Sequence, residues 1–460
     1  LIFSESGLSV MRRAITFLTL VVFILGWLVS PARAYTLQYT DNTASVRIKW
    51  PSNTVKIALS NSLNFPPANI KPGSDVLGAA RRALARWSEA ANIQFIETSS
   101  DALSISPSGG DRISLITVAD TPENRSIFDS ADRTGRTRVF YDPVAGTISE
   151  ADVVINPGAP FSTDGTPGTY DLEATFTHEI GHVLGLEHSD EAGSAMQPRQ
   201  GINGLYEQAA FGARTLSDDD RAGVHALYSS GEGFGTINGT ISDAKGTPAG
   251  GAHVWAEDIQ TGKVVAGNLS LTDGSYRIEG LPSGEYRLVA NRAVESQRQL
   301  NVAAGETIRQ DIALETEKTT LLPRVFGSNG HLSTIAVPLV QDRRYTIFVG
   351  GEGLDQVSGS GVSVTSPFIK VNPASLTLQS GINYEHPIIS FDVEISPDTP
   401  LGDYSIRLHS KTGEVAYIPG SLTVDSASGA TDPSRRVKSR AAIAGTLALS
   451  GGFLESFLAR

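Results

Sequence analysis

No cysteine occurs among the 460 residues, and no histidine precedes position 178. Without thiols the fold cannot be stapled by disulfides, and a metal site has to be built from imidazole and carboxylate groups. An excess of cations is also missing. The formal charge of −12 leaves no basic surface to hold nucleic acid by counterion release, so no nucleic acid partner is expected. What is plentiful is glycine (46) and proline (23), with 40% hydrophobic residues, a composition suited to a globular protein rich in turns and β structure. The length predicts roughly two to four domains.

Residues 11–34 form a basic start at Arg12 and Arg13, an apolar run, and then Ala32, Arg33 and Ala34. That is the plan of a secretory signal, with Met11 as the expected initiator and cleavage expected after Ala34, which predicts a secreted or extracellular protein. An uncleaved anchor is the alternative, but the apolar run is short for spanning a bilayer.

From residue 35 to about 230 the pattern mixes strands and helices. Alternating apolar residues predict strands at Val46/Ile48/Trp50, Val55/Ile57/Leu59 and Ala151/Val153/Ile155, with shorter ones around Phe95, Leu115 and Val139. Val76, Ala80, Ala83 and Trp87 recur at helical spacing, with Ser74 as the predicted cap. A later helix begins near Leu216, capped by Ser217 and followed by Asp218, Asp219 and Asp220, acids that favour a helix N-terminus. Gly231, Gly233 and Gly235 mark a linker, after which helical periodicity stops. Two β-sandwich domains are predicted beyond it, at 235–315 and 316–425. The tail at 426–460, polar and then basic to 440 and mildly apolar from 441, is read as disordered, with an anchor as the alternative.

The densest chemistry is the run HEIGHVLGLEH from His178 to His188. Residues four apart share a helix face, so His178 and His182 can present imidazoles to one ion. Ile180 lies about 200° around from His178 and can face the core with Phe176 and Val183. Gly185 tolerates the left-handed conformation that ends a helix, which lets His188 swing back as a third ligand. Three neutral imidazoles leave one tetrahedral position open, the geometry of a catalytic zinc.

This run, followed by Ala195, Met196, Gln197 and Pro198, resembles the matrixins, a metzincin group that includes the matrix metalloproteinases. The resemblance extends from about 35 to 230 through Leu216–Asp220, Gly223, Leu227 and Tyr228. It implies an α+β catalytic domain, one catalytic zinc on His178, His182 and His188, Glu179 as general base and Met196 in the Met-turn. It also implies that the segment Glu150–Asn156 is the edge strand flanking substrate, and that specificity lies between Met196 and Leu216, which includes Tyr206 and Phe211. Residues 235–315, with Thr272–Tyr276 and Gly280–Tyr286, resemble a carboxypeptidase regulatory-like domain. Residues 316–425 are immunoglobulin-like in texture.

Two departures follow from the missing residues. A second, structural zinc held by upstream histidines is not expected, and a thiolate cannot hold the enzyme latent. Calcium is a candidate second ion, with Asp142, Asp152 and Asp164 as loop acids, although surface solvation explains each as well. The predicted protein is a multidomain, monomeric zinc endopeptidase acting on proteins or peptides. The alternative is an adhesion or surface-binding protein in which the β modules bind a cell-surface or matrix ligand. Because residues 35–230 contain every ligand, they are expected to fold and cleave alone.

Overall fold

Val55, Ile57 and Leu59 are buried on strand β1 (Thr54–Ser60). The computed structural model describes residues 37–41, 46–106, 109–209, 212–229, 233–291, 299–314, 320–379, 384–425 and 448–449. The expected signal at 11–34, Phe211 and almost all of the tail lie outside them. The first region is a five-stranded sheet of β1, β2 (Gln94–Ser100), β3 (Leu115–Thr117), β4 (Gly135–Tyr141) and β5 (Ile148–Ile155), in the order β2-β1-β3-β5-β4. Only the β4–β5 pair is antiparallel.

Two helices pack on this sheet. Helix α1 (Val76–Ala91) buries Val76, Ala80, Ala83 and Trp87, the predicted stripe, but its cap is Asp75, which accepts the Gly78 amide, and not Ser74. Helix α2 (Leu172–Val183) starts at Asp171, whose carboxylate accepts the Ala174 amide. Phe176, Ile180 and Val183 are fully buried beneath it, and the Trp87 indole N–H donates to the Thr177 carbonyl at 2.8 Å. Helix α3 (Asp218–Tyr228) begins in a capping box between Ser217 and Asp220.

Three sequence expectations are corrected. Residues 46–50 form isolated bridges, Arg47 to Tyr39 and Lys49 to Thr147, and no continuous strand. Strand β5 is interior, held by β3 on one side and β4 on the other, so the free edge belongs to β4. Asp152 is not a solvated surface acid, because it is wholly buried and accepts the Ser106 and Leu115 amides.

Residues 235–314 form two sheets around one core that includes Ile237, Val254, Ile278 and Leu288. Residues 320–425 supply two further four-stranded sheets around a core of Val337, Ile347, Phe391, Ile406 and Leu422. These cores are not separate from the first region. Ala222 of α3 belongs to the middle core, and Tyr206, from the loop before α3, belongs to the last. Polar contacts reinforce the joins: Lys263 pairs with Asp218, the Gly267 amide donates to Asp219 at 2.8 Å, and Glu191 lies 3.3 Å from His253. The regions thus share core residues and buried polar contacts as well as the chain that links them.

Candidate metal centre

Helix α2 places His178 and His182 one turn apart, and the break after it brings in the third imidazole. Gly185 takes φ +91°, and a Cβ there would lie 2.2 Å from the Ile48 carbonyl oxygen. Both the conformation and the space therefore require glycine at this turn. The chain then returns His188, so that the rings of His178, His182 and His188 lie with centroids 4.7, 4.9 and 5.3 Å apart. Their donor atoms all fall within 4.8 Å of one another, and among the described residues no other set of three or more His, Cys, Asp or Glu side chains does so. Asp142, Asp152 and Asp164 do not join such a set. Asp142 caps the Val144 and Ala145 amides, and Asp164 pairs with Lys71.

The tautomers identify what the rings are built to hold. His178 Nδ1 sits 2.8 Å from the Ala195 carbonyl and His182 Nδ1 sits 2.8 Å from the Leu186 carbonyl. Carbonyls only accept, so each Nδ1 carries the proton and each Nε2 is left with a bare lone pair. Those two Nε2 atoms face each other at 3.1 Å. Two lone pairs at that distance repel unless a cation lies between them, and two nitrogens on one tetrahedral zinc are expected to be about 3.3 Å apart. Burial, followed by the neighbouring imidazoles, depresses the pKa of His178 and brings that of His188 to about 2, which keeps both rings neutral as ligands must be. The donor set fits zinc.

Glu179 points away from solvent, 3% exposed, and burial raises its pKa. The Thr137 hydroxyl on β4 lies 2.6 Å from its Oε2 and 3.0 Å from its main-chain carbonyl. Gly135, also on β4, makes room for it, since a Cβ there would be 2.6 Å from Oε1. Met196 is 2% exposed beneath the helix, and a Cβ on Gly181 would come within 2.2 Å of its sulfur.

Sequence reasoning missed the supports of this centre. Asp220 accepts the amides of Ala195 at 2.8 Å and Met196 at 3.2 Å, and so holds the segment whose carbonyl orients His178. Asp219 accepts the Ser189 hydroxyl at 2.7 Å, next to His188. Both look locally like first-turn helix acids, and nothing in their spacing reveals the second task. Gln38 donates its side-chain amide to the Leu186 carbonyl at 3.0 Å, the same oxygen that His182 uses. Thr137 had no signal at all.

Comparison with known proteins agrees with this geometry. Residues 49–229 match the matrixin family model, and residues 236–315 match the carboxypeptidase regulatory-like domain. Among curated proteins, the chain is 26% identical over 298 residues to karilysin of Tannerella forsythia, covering 62% of this chain and 54% of that protein. It is 27% identical over 172 residues to the hatching enzyme of Paracentrotus lividus, covering 36% and 25%. With metalloendoproteinase 4-MMP of Arabidopsis thaliana it shares 26% over 203 residues, covering 43% and 53%. The chain thus spans about half or less of the length of these relatives. The region at 49–229 is a matrixin-type catalytic domain carrying a zinc-binding histidine triad, followed by a carboxypeptidase regulatory-like β domain.

Proposed function

We propose that the protein is a secreted endopeptidase in which His178, His182 and His188 hold one zinc ion, Glu179 is the general base and Met196 is the supporting Met-turn residue. The observation that carries this reading is the pair of bare Nε2 lone pairs at 3.1 Å beside the buried carboxyl of Glu179. A bound zinc supplies Lewis-acid polarisation of a substrate carbonyl and of water. The remaining work belongs to the chain. Glu179 takes the proton of the attacking water at a carboxylate oxygen and returns it to the leaving amine. Thr137 can donate to the ionised carboxylate, and it can accept from the protonated acid while donating to the Glu179 carbonyl. Both states of the base are therefore hydrogen-bonded.

An extended substrate adds to the free edge of β4, where main-chain pairing grips peptides of varied sequence. A depression of about 540 Å³ borders that strand, lined by Ser126–Asp129 and Arg136–Val139. The domain limits we assign are 35–230 for catalysis, 235–315 for the regulatory-like sandwich and 316–425 for an immunoglobulin-like sandwich. Export rests on the signal pattern at 11–34. The test is Glu179→Ala, which should keep zinc and lose turnover by orders of magnitude, alongside His182→Ala, which should lose the metal. Near-normal proteolysis by Glu179→Ala would remove the base assignment.

A further inference from the structure

Strand β4 turns its two faces to different surroundings. Thr137 faces helix α2, where its hydroxyl meets Glu179, and Gly135 faces the same way, since a Cβ there would run into the Glu179 carboxyl. Side chains alternate along a strand, so Arg136 and Arg138 project from the opposite face. Their contacts agree. Arg136 Nη1 donates to the Ile127 carbonyl and Arg138 Nη1 to the Ser106 carbonyl, each at 2.6 Å. With Ser126–Asp129, both arginines line the depression that borders the strand.

The main chain of β4 alternates too. The Asn156 amide donates to the Thr134 carbonyl at 3.0 Å, and the antiparallel register that follows sets Arg136 opposite Val154 and Arg138 opposite Asp152. Even-numbered residues therefore turn their N–H and C=O groups toward β5, and Gly135, Thr137 and Val139 offer theirs to the free edge. A peptide hydrogen-bonded to Thr137 and Val139 places two of its residues, two positions apart, beside Arg136 and Arg138. Side chains directly opposite share a face of the sheet, with Cβ atoms about 5 Å apart.

The charge on this face is unbalanced. Asp129 pairs with Arg133 at 2.9 Å. Asp152, across from Arg138, is buried and gives its two oxygens to the Ser106 and Leu115 amides. Among the described residues neither Arg136 nor Arg138 makes an ion pair, and each guanidinium keeps N–H donors beyond the one given to a carbonyl. In a chain with a formal charge of −12, two such cations beside a substrate edge are a local exception.

We propose that β4 selects acidic substrates, with Arg136 and Arg138 as binding residues that receive carboxylate side chains at two alternate positions of the paired peptide. The substrate class is then an extended segment carrying Asp or Glu two residues apart. The proposal rests on the endopeptidase reading above and on its free edge. Opposite charges facing each other across strands attract and like charges repel, so lysine at the same positions is rejected.

The test uses the full chain, zinc-loaded, against a peptide library varied on both sides of the scissile bond, at about 0.05 M and about 0.5 M salt. The parent should favour Asp and Glu over Asn and Gln at two positions two apart, by up to about fivefold each in kcat/KM, and less at the higher salt. Arg136→Gln should lose the preference at one position, Arg138→Gln at the other, and Arg136→Glu should turn its position toward Lys. A second readout needs no turnover: zinc-loaded Glu179→Ala should bind a labelled peptide with Glu at both positions more tightly than its Gln counterpart, and Arg136→Glu in that background should reverse the order. If Arg138→Gln does not fold, the variants of the exposed Arg136 decide. Cleavage by the parent without regard to charge, or an unchanged charge preference in Arg136→Glu, would overturn this proposal and leave the endopeptidase reading standing. A zinc-loaded parent that cuts no peptide would overturn that reading and this proposal with it.

Discussion

The Thr137 hydroxyl of the edge strand lies 2.6 Å from Oε2 of Glu179, so the proposed base is held by the strand proposed to receive substrate. Thr137→Val keeps the shape and removes the hydrogen bond. Turnover should fall about 10- to 100-fold with zinc content unchanged, while Thr137→Ser should keep most activity. Steady-state kinetics beside metal analysis checks this. Equal kcat in the valine variant and its parent would remove Thr137 from the mechanism.

Gly181 is where helix α2 meets Met196 and Trp87. Alanine there would place its Cβ 2.2 Å from the methionine sulfur and 3.0 Å from the indole. Gly181→Ala should therefore lose about 1–3 kcal/mol of stability, despite better helix propensity, because a close-packed site has no slack. Urea denaturation measures it.

Metal removal should also be visible without a substrate. The converging Nε2 atoms of His178 and His182 are relieved by a cation, so zinc binds the folded chain and not the unfolded one. At a free zinc concentration about 1,000 times Kd the stabilisation is about 4 kcal/mol, and the melting temperature should rise accordingly. Chelation should reverse the rise, and His182→Ala should abolish it.

Asp403 gives a pH dependence of defined sign. Its carboxyl is buried where the 320–425 region meets Gly193, and it accepts the Thr423 hydroxyl at 2.6 Å. Burial, with Asp218, Asp220 and Glu191 nearby, raises its pKa from 3.8 to about 7. A carboxyl with a raised folded pKa binds more protons folded than unfolded, so it removes stability as pH climbs from about 4 to about 7. Asp403→Asn cannot ionise. It should raise the melting temperature at pH 8, where the penalty is at most about 4 kcal/mol, and do little at pH 4. Equal effects at both pH values would contradict this.

A fragment ending near residue 229 tests the joins between regions. Sequence alone suggests self-sufficiency, since every ligand lies before that point. In the structure such a fragment exposes Tyr206 and Ala222, both buried in neighbouring cores, and leaves Asp219 without the Gly267 amide. Burial of one large side chain is worth about 1.5–3 kcal/mol, so the fragment should melt well below the full chain. Calorimetry on the two proteins compares them directly.

What could be read from the sequence was whatever the chain encodes locally. The helical spacing of His178 and His182, the glycine turn at 185, the buried face of Ile180 and the Ser217 cap depend on residues within a few positions of one another. The edge strand was misassigned, although its signature is present. Strand β5 is buried on both faces from Glu150 onward, as an interior strand is, whereas β4 carries Arg136 and Arg138, the charges that blunt an edge. The contacts of Thr137, Gln38, Asp219 and Tyr206 were illegible because each joins segments far apart in sequence. A threonine in a strand or a tyrosine in a loop carries no mark of its distant partner.

The seat of Tyr206 in the core of the 320–425 region also bears on how such chains can be recombined. A cut at the glycine-rich linker would look, by composition, like a natural place to exchange one β region for another. The graft would inherit a loop whose tyrosine has lost Gly327, Ser333 and Ile335, and a β region whose core has a hole the size of that ring. Inheritance therefore couples residues about 120 positions apart, and a functional chimera has to transplant the key with its lock.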